Sequence, residues 1–250
     1  MKSNQILIVG GGLAGLTTAI HLSKIGLQVT LIEKNEYPKH KVCGEYISNE
    51  VLSYLDYLDL NISCLHPTNI TNLEFSTFSG KIVKCILPLG GCGISRYTLD
   101  AYLYNKAIEN GCVIIRETVE SIVFNSEEFI VTTSDKTIFK SELVIGAFGK
   151  RSNIDQNLNR NFIKKKSHWL AVKAHYSGSF PNDLVGLHNF KGGYCGVSKV
   201  ENNSINICYL VDYKTFKKYK NILDFQEQVV TQNPYLKDIF LKCKPLFEKP

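Results

Sequence analysis

Between Gln5 and Lys34 the hydrophobic positions change period twice. Ile6, Leu7, Ile8 and Val9 form an unbroken apolar run, the pattern of a strand buried on both faces. Leu13, Leu16 and Ile20 then fall on one stripe of a helix that Gly26 stops. Val29 to Ile32 make a second apolar run, and it ends on the acid Glu33. The chain therefore opens with a predicted βαβ unit.

The pattern changes further along. The stretch NEYPKHKVCGEYIS is too irregular for a strand, whereas Val51, Leu52, Leu55 and Leu58 repeat at helical spacing. Residues 73 to 88 read as two strands around a turn at Ser79-Gly80. Helical spacing returns with Thr98 as N-cap, Leu99, Leu103 and Ala107 on one face and Gly111 as the stop, followed by a strand from Cys112 to Ile115. Short strands are predicted near 119 to 124, 128 to 133 and 137 to 140, and LVIGAFG at 143 to 149 reads as another buried strand. From about residue 168 the segments HWLAVKAHYSG, VGLHNFKGGYCGVSKV and SINICYLVDY are strand-like, and residues 215 to 232 predict a helix. The fold class is α/β, with two domains woven from one chain: 1–70 and 96–155 form one, 71–95 and 156–250 the other.

A chain of 250 residues can bury a sizeable core, and no apolar run approaches the roughly 20 residues that span a bilayer. The apolar start belongs to the βαβ unit, so no signal peptide is expected. The eight cysteines show no CxxC pair or zinc spacing, and reduced thiols in a cytoplasmic protein account for them; no metal site is expected. The net charge of +6 comes from scattered lysines, without an aromatic platform or a reading motif for nucleic acid.

The chemistry concentrates in the first turn. Gly10 allows the tight exit from the strand, Gly12 admits a pyrophosphate against the backbone, and Gly15 lets the helix pack closely. The N-H groups of Leu13 and Ala14 then face the anion at the positive end of the helix. Glu33, about 20 residues on, is placed to accept hydrogen bonds from ribose hydroxyls, with Lys34 beside it. A carboxylate there repels a 2′-phosphate, which leaves FAD or NAD as the dinucleotide of this site.

With this fingerprint, Glu33, the SRYTLDAYLYNKAIENGCVII helix and strand and the LVIGAFG strand in that order, the chain resembles the FAD-dependent monooxygenase and geranylgeranyl reductase superfamily. These are flavoproteins of the p-hydroxybenzoate hydroxylase fold. The resemblance covers nearly the whole chain. It implies a glutathione-reductase-type FAD-binding Rossmann domain interleaved with an antiparallel β-sheet substrate domain. The segment YPKHKVCGEYIS is similar to the P-x-x-K-x-C-G stretch of the prenyl reductase branch, which places Cys43, Gly44 and Glu45 near the isoalloxazine and Lys41 as a neutralising charge. Cys43 is then a candidate reactive thiol, helped by Lys39 and Lys41, or else a small buried apolar residue. Glu45 is a candidate general acid or base if buried against the flavin. Arg96 corresponds to a basic residue that contacts FAD, and Val119 to a position that offers backbone groups to adenine. His40, His175 and His188 have no partner pattern and read as structural or exposed.

Several departures accompany the resemblance. The second fingerprint of the family has Asp-Gly followed by Ser and Arg, but here the chain reads Phe148-Gly149-Lys150-Arg151-Ser152, with Asp155 where Arg is expected. The substrate segment GGYCGVSKV lacks the Trp and Phe-Pro of the reductase branch. Nothing after Pro245 supplies the family's third FAD segment, so a truncated product is expected. The activity implied is an FAD-dependent oxidoreductase, a hydroxylase or an alkene or prenyl reductase, acting on an aromatic or lipophilic small molecule with NAD(P)H as reductant. Two alternatives stay open: a nucleotide-binding remnant without turnover and an NAD-dependent dehydrogenase.

Overall fold

The computed structural model describes residues 2–150, 152–165 and 167–247, and the main chain alone for 2–5. Arg151, part of the altered second fingerprint, lies outside the described residues. The contacts divide the chain into two compact units, Met1–Lys39 with Leu58–Leu60 and Tyr97–Lys166, and His40–Tyr57 with Asn61–Arg96 and Ser167–Pro250. Residues 40–57 and 61–70 thus fall in the second unit, whereas the sequence pattern grouped them with the first.

The first unit is a six-stranded sheet. Four strands run parallel in the order Val113–Arg116, Val29–Glu33, Lys2–Val9 and Ile138–Gly146, followed by Phe129–Thr133 and Val119–Phe124 as antiparallel neighbours. Ile6 to Val9 and Val29 to Ile32 are buried, as their continuous apolar runs require. Leu7, Ile32, Val131 and Phe139 pack together on one side. Helix Leu13–Lys24 joins Lys2–Val9 to Val29–Glu33 and buries Leu16, Ala19 and Ile20. Ile138–Gly146 is one continuous strand where two were predicted, and Leu143 on it is 48% exposed, so it is not the fully buried strand that its apolarity implied.

The helix expected to start at Thr98 begins at Arg96. Ser95, just before it, gives its N-H to Glu201 Oε2 at 2.8 Å and its hydroxyl to Oε1 of the same residue. A tertiary contact therefore sets the start of this helix, and the local capping residue does not.

The second unit is an eight-stranded sheet in the order Cys243–Pro245, Trp169–Gly178, Ile205–Asp212, Gly193–Lys199, Leu184–Phe190, Thr68–Ser76, Ile82–Gly93 and Tyr46–Ser48. All its pairings are antiparallel except that between Leu184–Phe190 and Thr68–Ser76. Tyr46–Ser48, in a stretch too irregular to predict as a strand, is recruited by pairing with Gly91 to Gly93. Strand alternation sorts the side chains. Val172, Tyr176, Val197, Ile205, Ile207, Tyr209 and Val211 join Phe225, Leu236 and Ile239 of the C-terminal helices in one core. The alternate residues, including Lys173, His175, Asn206 and Cys208, take the opposite face. The predicted helix over 215–232 is instead two short helices, Tyr213–Phe216 and Ile222–Gln228, and the unpredicted Pro234–Lys242 follows, capped by Asn233. No described helix is long and apolar enough to cross a membrane.

Candidate functional site

The glycine turn is tight where it meets protein and open where it faces outward. Gly10 has φ +105°, and its N-H donates to the Ile32 carbonyl oxygen at 2.8 Å. A Cβ on Gly10 would collide with the Ala147 carbonyl, and one on Gly15 with the Gly10 carbonyl, so both positions demand glycine for close approach. A Cβ on Gly12 would meet nothing within 4 Å. Gly12 is also the N-cap of helix Leu13–Lys24 and supplies no side-chain cap. The helical ladder begins with Leu16 N-H on the Gly12 carbonyl oxygen at 2.9 Å, so the amides of Leu13, Ala14 and Gly15 precede it without an intrahelical acceptor.

Glu33 is held toward this turn. Its Oε2 accepts from Gly11 N-H at 2.7 Å, and its Oε1 accepts from the main-chain N-H of Asn35 at 2.9 Å and from the Asn35 side-chain amide. The Tyr37 hydroxyl donates to the Gly11 carbonyl oxygen and occupies the space a Gly11 side chain would need. Tyr37 thus covers Gly11 and leaves Gly12 open. A carboxylate has about four lone-pair sites, so Glu33 keeps acceptor capacity for a sugar. The adjoining cleft is lined by Val9, Gly10, Glu33, Lys34, Val119 and Phe148 among others. Ala14 and Lys34 are exposed, and Leu13 is half-buried.

The loop Lys41 to Glu45 belongs to the second unit. Lys41 and Cys43 are half-buried and Gly44 is exposed. Glu45 adopts φ +54°, a left-handed conformation unusual for a side-chain-bearing residue, and it is 2% exposed. Its N-H donates to Cys43 Sγ at 3.4 Å. Its Oε1 accepts from Lys173 Nζ at 2.8 Å and from Arg96 N-H at 2.9 Å, and its Oε2 lies 2.6 Å from His175 Nε2. The side-chain amide of Asn206 donates to the Gly44 and Cys43 carbonyls at 2.9 and 3.3 Å. Three sheet residues therefore pin the loop from beneath.

Burial works to raise the Glu45 pKa, and hydrogen bonds from His175 and Lys173, with the Lys173 charge, overcome it and hold the carboxyl below its ordinary value. Both oxygens are engaged by the protein's own donors and the group stays ionised, the form that a general acid is not and a general base is. The Lys39 ammonium, expected to help Cys43, is exposed and bonds Asn35 Oδ1 at 2.5 Å. Arg96 is half-buried and reaches Glu45 through its main chain, a contact the sequence did not indicate.

Lys173 and Asn206 escaped the sequence reading, and His175, read there as structural or exposed without a partner pattern, is buried against Glu45. The available signal was Lys173-Ala-His175, two polar residues on one face of an otherwise apolar strand. His188 is also buried and partnered, with Nδ1 2.9 Å from Ser76 Oγ and Tyr235 stacked on its ring. Asp155, where the family pattern has Arg, is buried near Arg160 Nη1 at 3.4 Å. No group of three His, Cys, Asp or Glu suited to a metal occurs among the described residues, and all eight cysteines are free.

Comparison with known proteins places this architecture. The model of the FAD binding domain family matches residues 3–190, and the chain belongs to that family. An FAD-dependent monooxygenase of Penicillium canescens is 25% identical over 163 residues, 61% of this chain and 35% of that protein. A menaquinone reductase of Mycobacterium tuberculosis is 23% identical over 188 residues, 72% of this chain and 46% of that protein. The chain spans less than two thirds of the length of these curated relatives. Among solved structures, the flavin-dependent brominase Bmp2 superposes with a TM-score of 0.81 at 17% identity, covering 99% of this chain and 66% of that one. The fold is thus that of FAD-binding flavoproteins, with mixed α/β architecture.

Proposed function

We propose that this chain is the FAD-holding part of an oxidoreductase that hydroxylates or reduces an aromatic or lipophilic small molecule, with NAD(P)H as reductant, in the cytoplasm. The observation that carries the reading is Gly12, open to 4 Å in front of unsatisfied helix amides, with Glu33 fastened alongside. Gly10, Gly12, Leu13, Ala14 and Gly15 would hold the diphosphate, Glu33 and Lys34 the adenosine ribose, and Val119 the adenine edge. For Lys41, Cys43, Gly44 and Arg96 the support is the family resemblance of their segments. Glu45 would act by fixing the loop they occupy.

Bound FAD would supply the electron transfer and oxygen chemistry. The chain's own share is to hold the dinucleotide, exclude water and position the reactant. Small-molecule chemistry is also what the names of the monooxygenase and menaquinone reductase relatives describe.

The test is purification of the chain and denaturation of the product. A yellow protein that releases FAD, and a colourless but folded Gly12→Val variant, agree with the proposal. A folded wild-type protein that takes up ADP but no FAD sinks it and leaves a nucleotide-binding remnant. Anaerobic bleaching by NADH or NADPH identifies the reductant.

A further inference from the structure

One end of the second unit's sheet gathers lysines that stand apart in sequence. The turn at Lys191-Gly192 meets the close of strand Ile205–Asp212, where Asp212 N-H donates to the Gly192 carbonyl oxygen at 2.9 Å. Trp169 is the register partner of Asp212, and Tyr213 N-H donates to the His168 carbonyl oxygen at 2.7 Å. Gly192 has φ +85°, and a Cβ there would lie 2.8 Å from the Thr215 hydroxyl oxygen, so the turn packs directly on helix Tyr213–Phe216.

Packing then sorts the side chains that follow. Phe216, Tyr219 and Ile222 lie against the helical core, whereas Lys214, Lys217, Lys218 and Lys220 are left exposed, with Lys191 on the adjoining turn. None of these five ammoniums has a carboxylate partner among the described residues. The carboxylates in the same segment are turned to local donors: Asp212 accepts from the Thr215 hydroxyl at 3.3 Å, and Asp224 from Lys220 N-H at 3.0 Å and from the Gln228 side chain. Large apolar groups stand among the charges. Trp169 is 52%, Tyr213 54% and Leu223 71% exposed.

We propose that this end of the sheet docks on the surface of a membrane that carries anionic lipid headgroups. Charge complementarity favours that partner: unpaired ammoniums on flexible stems follow a diffuse negative surface, each contributing about fivefold to partitioning. The aromatic rings of Trp169 and Tyr213 suit the headgroup boundary, and Leu223 gains an apolar layer beneath it. A nucleic acid would engage the lysines and stack on the rings, but it offers no such layer to an exposed leucine. The attachment is peripheral and independent of the redox reading.

Trp169 is the single tryptophan of the chain, so its emission reports this surface. The full chain should sediment with phosphatidylcholine–phosphatidylserine vesicles and not with phosphatidylcholine alone. On binding, Trp169 emission should shift to the blue and be quenched by brominated acyl chains. The combined variant Lys214→Gln, Lys217→Gln, Lys218→Gln should lower the vesicle affinity by about tenfold or more, with an unchanged circular dichroism spectrum. Leu223→Asn should weaken binding with every lysine in place. Equal binding to neutral vesicles, an unresponsive Trp169 in vesicle-bound protein, or undiminished affinity in the folded triple variant overturns the proposal. Retention by RNA without vesicle binding also overturns it and assigns the lysines to nucleic acid.

Discussion

Lys173 and Glu45, 128 positions apart in sequence, form an ion pair at 2.8 Å with side chains 5% and 0% exposed. Taking two charges out of water is costly, and the pair persists because His175 and the Arg96 amide satisfy the rest of the carboxylate. Removing one partner strands the other. Glu45→Gln should therefore destabilise the chain by about 3–5 kcal/mol in urea unfolding, and a loss below about 1 kcal/mol would show that water reaches the pair.

Acid should act through the same residue. The folded-state pKa of Glu45 lies below the ordinary value of 4.5, so below that value the unfolded chain binds the proton first. The stabilisation is fully present above pH 4.5 and is lost as pH falls through the folded-state pKa. Urea midpoints measured from pH 6 down to 3 should decline below 4.5, with a shallower decline in Glu45→Gln. Parallel curves for the two proteins would contradict this.

His188 has a second pH signature in a higher window. Burial lowers its pKa from 6.5, while Glu74 opposes the shift. The unfolded state is again the one that takes up the proton, so the contribution is complete above pH 6.5 and fades as pH drops through the folded-state value. Melting temperature should fall between pH 7 and 5.5, and His188→Phe should flatten that slope. An unchanged slope in the variant would assign the effect to another group.

At the turn, the two changes should separate geometry from hydrogen bonding. Gly12→Val places a branched side chain in open space, so folding should be unaffected while FAD binding is lost. Glu33→Ala also unties Gly11 N-H and should weaken FAD by about 1.5–3 kcal/mol, read by flavin titration. Wild-type affinity in both variants would remove the cofactor from this turn.

Cys43 offers a milder test. Its Sγ accepts from Glu45 N-H, within the loop that Asn206 holds. Cys43→Ser keeps an acceptor there and should leave FAD content and stability within about 0.5 kcal/mol of native, while turnover changes if the thiol takes part in the reaction. Unchanged kinetics would return Cys43 to a packing role.

The parts that could be read from sequence share one property: the physics acts over a few neighbouring residues. Gly10, Gly12 and Gly15 sit within one turn, and the burial of Ile6 to Val9 follows from their own apolarity. The failures share the opposite property. Thr98 looked like a cap because it is a good local one, yet Glu201 anchors Ser95 and moves the helix start to Arg96. Tyr46–Ser48 has little strand character until Gly91 to Gly93 supply a ladder.

The alternation of apolar and polar residues and the glycine spacing determined by themselves the βαβ unit, the mixed α/β architecture and the place where a dinucleotide would lie. Such periodicities act through the main chain and through burial, which each segment encodes alone. Only the tertiary structure decided that Glu45 is an ion-pair anchor and that Lys173 is neutralised by it. Those outcomes depend on which distant side chains share one dry volume, because a charge's energy is set by its partners and its solvent, and neither is written next to it in the chain.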